Sequence, residues 1–133
     1  MRPCCKSILT TILGLVLFIA FSPTWAGMDE AHQAYTNGDY TSAFKGYMAA
    51  ASEGDARAFG KVAALYLYGR GTEKNYSEAY IWFSIAAESK DKYAGRFRDA
   101  AASMLTREEI DQAEVDLAKR RIELQRTSTV SGH

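Results

Sequence analysis

Residues 55–87 decide the fold of this chain, and they read DARAFGKVAALYLYGRGTEKNYSEAYIWFSIAA. Two apolar, alanine-rich segments lie on either side of a glycine turn, GRG at residues 69–71. Asp55 and Asn75 stand directly before the two segments, and such side chains accept hydrogen bonds from the first N–H groups of a helix. Glycine commonly follows the last helical residue because it adopts a left-handed conformation without steric cost. The stretch therefore predicts two helices joined by a tight turn.

The same pattern occurs more than once along the chain. Sliding the sequence by 36 residues aligns small and aromatic residues in the same order. Internal repeats of this length are typical of helical-repeat proteins, in which each unit is a pair of helices. The identical pairs are Tyr40/Tyr76, Ala43/Ala79, Ala50/Ala86, Ala51/Ala87, Asp55/Asp91, Ala58/Ala94 and Ala64/Ala100.

Caps, terminal glycines and apolar periodicity together predict six helices and no strand. The predicted helices cover residues 28–36, 40–52, 56–68, 76–88, 92–104 and 107–124. Residues 125–133, QRTSTVSGH, lack apolar periodicity and are predicted to form a disordered tail. The expected fold is all-α, a short α-solenoid of antiparallel helix pairs that occupies residues 27–124.

The last predicted helix has the features of a C-terminal capping helix. Thr106 and Glu109 have the spacing of a capping box, and acidic residues precede basic ones along the helix, which matches its dipole. We expect one apolar stripe of this helix to cover the last repeat; the stripe consists of Ile110, Ala113, Leu117 and Leu124.

The stretch 55–87 resembles a Sel1-like repeat, a relative of the tetratricopeptide repeat. It combines a GxG turn, an Ala-x-x-Trp-aromatic step and an Ala-Ala pair at fixed offsets, and the resemblance extends over residues 37–121. The matching residues are Ala56, Ala58, Tyr66, Gly69, Gly71, Tyr76, Ala79, Trp82, Phe83, Ala86 and Ala87. The sequence departs from the family pattern at Ala63, Thr72 and Lys90, where the family usually has Gly, Val and Gly.

The N-terminal 26 residues have the pattern of a signal peptide. Arg2 and Lys6 precede an almost unbroken apolar run at residues 8–21, and the small residues Thr24 and Ala26 follow it. We predict cleavage after Ala26 and export to the periplasm or the exterior. The alternative is an uncleaved anchor, although an apolar run of this length spans about 21 Å, less than the ~30 Å hydrocarbon core of a bilayer.

Charge and cysteine content exclude several functional classes. The 16 Lys and Arg balance the 16 Asp and Glu, so the chain lacks the positive field that sequence-independent nucleic-acid binding requires. Cys4 and Cys5 are adjacent and lie in the predicted signal peptide, which leaves neither a disulfide framework nor a cysteine zinc site in the mature protein. His32 and His133 are far apart in sequence. We therefore predict no metal, no cofactor and no catalytic residue.

Four residues are the candidates for a binding surface. Arg57 and Lys61 lie at i and i+4 on one face of a predicted helix. Tyr68 and Tyr93 do not match the family pattern, and tyrosine serves recognition because it joins an apolar ring to a polar tip. These side chains are predicted to contact a protein or peptide partner.

The resemblance implies a non-catalytic interaction module or adaptor, here exported to the cell envelope. An enzyme is one alternative, because a cysteine-rich exported branch of the family is linked to the binding and hydrolysis of β-lactams, but its repeats carry a Cys pair that this mature chain lacks. A scaffold tethered to the membrane by residues 8–21 is another. Self-association is a further expectation, since two repeats are close to the minimum for a stable array.

Overall fold

The computed structural model describes residues 24–131, and this part of the chain consists of six helices without a strand. The all-α prediction is therefore confirmed. None of these helices combines the length and the apolar character that crossing a bilayer requires. The helices are α1 Thr24–Thr36, α2 Tyr40–Ser52, α3 Ala56–Tyr68, α4 Tyr76–Glu88, α5 Ala94–Ala102 and α6 Arg107–Ser131.

Consecutive helices from α1 to α5 pack against one another, and α6 packs against α4. The connections are short, which places neighbouring helices antiparallel. This arrangement is the α-solenoid that the repeat predicts. Residues 1–23, which hold most of the predicted signal peptide, lie outside the described residues, and α1 begins at Thr24, four positions before the predicted start.

Side-chain caps hold the starts of α2, α3 and α4. Asp39 Oδ1 accepts a hydrogen bond from Ser42 N at 3.1 Å, and Asp55 Oδ1 accepts one from Arg57 N at 3.0 Å. Asn75 Oδ1 accepts one from Glu78 N, also at 3.0 Å. Because each cap is a contact within three residues, the sequence alone is sufficient to predict it, and the bounds of all three helices are as predicted.

α5 is shorter than the predicted helix at residues 92–104. Asp91 Oδ1 accepts hydrogen bonds from Tyr93 N at 2.9 Å and from Ala94 N at 3.3 Å, and the chain turns before the first helical residue, Ala94. At the other end, Ser103 Oγ donates to Ala100 O at 2.7 Å. Asp91 therefore precedes the helix as its repeat partner Asp55 precedes α3, but a turn of two residues lies between Asp91 and the first helical residue.

Alanines and a few large side chains form the core. Trp82 and Tyr47 are the largest fully buried side chains of the described region, and Ala43, Ala58 and Ala79 have no exposed surface. The Trp82 ring stacks on Phe59 with 5.8 Å between the ring centroids. Small residues thus allow the helices to approach closely, and aromatic rings fill the space that remains.

The GxG turn packs against the start of α2. Gly71 has φ +72°, and a Cβ atom at this position would lie 2.0 Å from the carbonyl oxygen of Tyr40. No side chain fits at such a distance. The glycine turn of one repeat therefore sets its distance from the preceding repeat.

The turn after each second helix of a repeat has the same backbone conformation in both repeats. Gly54 follows α2 with φ +89°, and Lys90, which lies 36 residues later, follows α4 with φ +71°. Lys90 is the position where the resemblance expects glycine. The left-handed conformation is kept although a lysine occupies it, at a cost of about 1–2 kcal/mol.

α6 covers α4, as a C-terminal capping helix is expected to do. The capping box is present, since Glu109 N donates to Thr106 Oγ1 at 3.2 Å and Thr106 N donates to Glu109 Oε2 at 2.8 Å. Ala113 and Leu117 are buried. Polar contacts join the same two helices, from Tyr80 to Glu114, from Arg120 to Glu78 and from Arg121 to Glu88.

The prediction of a disordered tail is wrong for residues 125–131, because α6 continues to Ser131. Extending an existing helix by a residue is far easier than nucleating a new one. Ser128 Oγ donates to Gln125 O at 2.9 Å, and Thr129 Oγ1 donates to Arg126 O at 2.8 Å. The hydroxyl groups of this segment thus bond to the helical backbone.

Gly71→Ala is expected to lower the free energy of unfolding by more than about 2 kcal/mol, because the left-handed backbone and the contact with Tyr40 O both oppose a Cβ atom. Urea unfolding followed by far-UV circular dichroism measures the change. Gly95→Ala is the matched control, since a Cβ there meets nothing within 4 Å and alanine favours the helix by at most about 1 kcal/mol. Equal stabilities of the two variants would contradict the packing described for the turn.

Lys90→Gly is expected to raise the free energy of unfolding by about 0.5–1 kcal/mol, because relief of the left-handed strain exceeds the entropic cost of glycine. Lys90→Ala keeps a Cβ atom at this position and should bring no gain. The same urea titration distinguishes the two variants. A similar gain from alanine would show that the lysine side chain, and not the backbone, costs stability.

Candidate functional site

A groove lies between α3 and α5, and its floor is formed by α4. Its cavity has a volume of about 230 Å³. The groove, referred to below as the α3–α5 groove, is lined by Arg57, Gly60, Lys61, Ala64 and Tyr68 of α3, by Phe83 of α4, and by Asp91, Tyr93, Ala94 and Phe97 from α5 and the turn before it. All four residues that the sequence singled out for binding, Arg57, Lys61, Tyr68 and Tyr93, are among them.

Small residues open the groove. Gly60 faces the turn before α5, and a Cβ atom at Gly60 would lie 2.9 Å from Asp91 Oδ2. Ala64 and Ala94 also line the cavity. Phe83 and Phe97 stack with 5.4 Å between their centroids and support it from below. The space exists because glycine and alanine occupy the positions where α3 and α5 face each other.

Positive charge lies along the α3 side of the groove. Arg57 binds Asp55 through two hydrogen bonds, from Nε at 3.0 Å and from Nη2 at 2.6 Å. These hydrogen bonds raise the pKa of Arg57 and are the main reason for the lowered pKa of Asp55. Lys61 is exposed one turn further along the helix. The bonds to Asp55 fix the guanidinium of Arg57 in position, whereas the ammonium group of Lys61 lies in solvent.

Aromatic rings form the opposite side and one end of the groove. Tyr68, Tyr93 and Phe97 are 55%, 65% and 42% exposed, which is high for large apolar side chains. The guanidinium carbon of Arg70 lies 5.6 Å from the centroid of the Tyr68 ring. These rings offer apolar surface that no other part of the described chain covers.

A second cavity adjoins the groove on the far side of the Tyr93 and Phe97 side chains. It has a volume of about 320 Å³ and is lined by these two residues together with Arg96 and Ala100. The two aromatic residues therefore separate two neighbouring depressions. The α3–α5 groove, at about 230 Å³, is smaller than the roughly 300–1,000 Å³ typical of small-molecule pockets, and the second depression, at about 320 Å³, lies at the lower end of that range. Each depression is large enough for one or two side chains of a ligand.

Sequence reasoning missed Gly60, Asp91 and Phe97 as groove residues. Phe97 lies four residues after Tyr93, so the i, i+4 relation that linked Arg57 to Lys61 would also have found it. No local pattern identifies Gly60 or Asp91 as groove residues, because their proximity depends on how α3 approaches the turn before α5.

The described residues bring no group of three or more His, Cys, Asp or Glu side chains to positions where they could hold a metal ion. His32 Nδ1 lies 3.4 Å from the hydroxyl of Tyr47, which is buried, and not next to the α3–α5 groove. What the groove offers is a cationic edge, exposed aromatic rings and small depressions, which are the features of a recognition surface.

Comparison with known proteins finds a relative of this chain. The chain is 36% identical over 72 residues to an uncharacterised Sel1-like repeat-containing protein of Schizosaccharomyces pombe. The match covers 54% of this chain and 10% of that protein, so the chain is similar to a small part of a much longer relative. No family model matches, and no solved structure matches.

The matched length equals two repeats of 36 residues, and the fold consists of stacked helix pairs with the glycine turn at their junction. Sequence similarity and architecture therefore agree. The chain is similar to a Sel1-like repeat-containing protein over this stretch.

Proposed function

We propose that this protein is a non-catalytic, exported helical-repeat protein that binds a peptide segment of a partner protein in the α3–α5 groove. The observation that carries the proposal is the convergence of Arg57, Lys61, Tyr68 and Tyr93 on one groove. The first three residues lie in α3 and Tyr93 lies in the turn before α5, and all four were selected from the sequence for their chemistry. A repeat array that serves as an adaptor in the cell envelope would use such a surface.

Charge on the groove favours an acidic peptide. Lys61 is exposed on one side, and Arg96 is exposed next to the adjoining depression. Asp91 is the acidic residue that lines the groove, and its Oδ1 is already hydrogen-bonded to two backbone N–H groups. A ligand carboxylate would therefore meet cationic groups at the rim, which favours association and orientation more than raw affinity.

The shape of the groove favours apolar side chains between the acidic ones. Tyr93 and Phe97 separate two depressions, so successive side chains of an extended peptide can occupy one each. Aromatic and aliphatic groups would bury the exposed rings, and buried aromatic contacts supply much of the binding energy of protein interfaces. We therefore propose an extended, acidic segment with two apolar anchors as the ligand.

Export is the second element of the proposal. It is supported by the basic start of the chain, by the apolar run at residues 8–21 and by the small residues Thr24 and Ala26. A partner in the cell envelope follows from this location.

Mass spectrometry of the protein isolated from its native cells is expected to find Gly27 as the first residue. Ala26→Tyr is the control, because signal peptidases require a small residue directly before the cleavage site; this variant should keep Met1. An intact Met1 in the wild type would favour the membrane-tethered scaffold instead. The measurement thus tests export separately from binding.

Lys61→Glu is expected to weaken the binding of acidic peptides about tenfold, which corresponds to about 1.4 kcal/mol. The peptides are selected by display on the purified protein, and their affinities are measured by fluorescence anisotropy. Lys45→Glu makes the same change of charge at an exposed position of α2 outside the groove and should have little effect. Equal losses in both variants would show that only net charge matters, and unchanged binding in Lys61→Glu would place the peptide elsewhere.

A further inference from the structure

The face of α6 that points away from α4 carries an apolar stripe. Val115 and Ile122 are 51% and 52% exposed, and Ala118 between them is exposed as well. Residues at these spacings lie on one side of a helix. The buried residues Ala113 and Leu117 lie on the opposite side, so the stripe takes no part in covering the repeats.

Charged residues continue this face in both directions, with opposite signs. At 100° per residue, Glu108 and Asp111 lie in line with the stripe toward the start of the helix. Arg126 lies in line with it toward the end, Lys119 lies beside Ala118 at its centre, and all four side chains are exposed. The outer face of α6 therefore has an acidic half and a basic half with an apolar centre.

Local ion pairs leave this pattern available to a partner. Asp111 lies 3.4 Å from Arg107, and Lys119 lies 3.2 Å from Asp116. Exposed pairs of this kind contribute at most about 1 kcal/mol, so they are weak competitors for a charge on a partner. The acidic and basic halves remain separated along the helix.

We propose that the outer face of α6 binds the same face of a second copy of this chain, with the two helices antiparallel. A twofold axis close to Ala118 would bring the two apolar stripes together. It would also place Glu108 and Asp111 of each copy close to Arg126 of the other. A parallel pair would set like charges against each other, so the charge pattern selects the antiparallel arrangement.

The geometry also limits the strength of the dimer. α6 has 25 residues and is about 37 Å long, which is enough for a helix-to-helix contact over several turns. Three apolar residues per copy form a small interface, below the roughly 1,200 Å² that stable complexes usually bury. Association is therefore weak and depends on protein concentration. An isologous contact of this kind is closed, so it ends at two copies.

Sedimentation velocity over a wide range of protein concentration tests the dimer, with the processed protein as it is recovered from the cell. A monomer–dimer equilibrium is expected for the wild type. Ile122→Lys should weaken it at least tenfold, because it places two ammonium groups at the apolar centre. Met104→Lys is the matched control, since Met104 is 58% exposed but lies in the turn before α6. It should leave the dimer unchanged.

Charge reversal tests the orientation. Asp111→Lys and Arg126→Glu should each weaken the dimer, whereas the double variant should restore it, because the pair is reversed but still complementary across the twofold axis. A monomeric wild type at all concentrations would overturn the proposal, and so would a dimer that Ile122→Lys leaves intact or one that the double variant does not restore. Lys61→Glu should not alter dimerisation, so peptide binding in the groove and self-association fail or succeed independently.

Discussion

The close approach of neighbouring helices at small residues is the constraint on which the rest of the structure depends. A Cβ atom at Gly71 would lie 2.0 Å from the Tyr40 carbonyl oxygen, and one at Gly46 would lie 2.7 Å from Ala31 Cβ. Fully buried alanines such as Ala43 and Ala79 occupy comparable positions in the two repeats. Dispersion forces act over short distances only, so helices that approach this closely gain packing energy that larger side chains would prevent.

The close approach of the helices also explains the structural role of Trp82, which is one of the largest fully buried side chains of the described region. Small residues bring the helix axes together but leave gaps between the pairs, and a large ring fills the gap at the junction of the repeats and α6. Trp82 stacks on Phe59, and the guanidinium carbon of Arg120 lies 4.9 Å from its ring centroid. Arg120 also pairs with Glu78 at 3.4 Å. Trp82 thus connects the repeats to the capping helix. It contacts Phe59 through apolar surface and Arg120 through a cation–π interaction.

Where the small residues face solvent, they produce the α3–α5 groove. Gly60 and Ala64 have little or no side chain on the α3 wall of the groove, whereas the rings of Tyr93 and Phe97 form the opposite wall. The packing that stabilises the array therefore also shapes the surface proposed to bind a peptide. The second surface lies on α6. One face of this helix packs against α4, and the opposite face is exposed.

Local sequence determined the helices whose ends are fixed by contacts between near neighbours. The bounds of α2, α3 and α4 follow from Asp39, Asp55 and Asn75, because a cap and the N–H group it accepts from lie within three residues. The end of α6 was predicted too early, since the hydroxyl residues after Leu124 favour either a turn or the continuation of an existing helix. For the binding surface, the sequence sufficed to choose Arg57, Lys61, Tyr68 and Tyr93 by their chemistry and to pair the first two by helical spacing.

Only the tertiary structure decided that Tyr93 stands across a groove from Lys61, and that Gly60, Asp91 and Phe97 complete it. The distance between α3 and α5 depends on the packing of both against α4, which involves residues far apart in the chain. Helical spacing relates residues that lie one or two turns apart in the same helix. A groove between helices depends instead on many contacts between residues far apart in the sequence. The chemical character of the candidate site is therefore encoded locally, and its geometry is a property of the packed array.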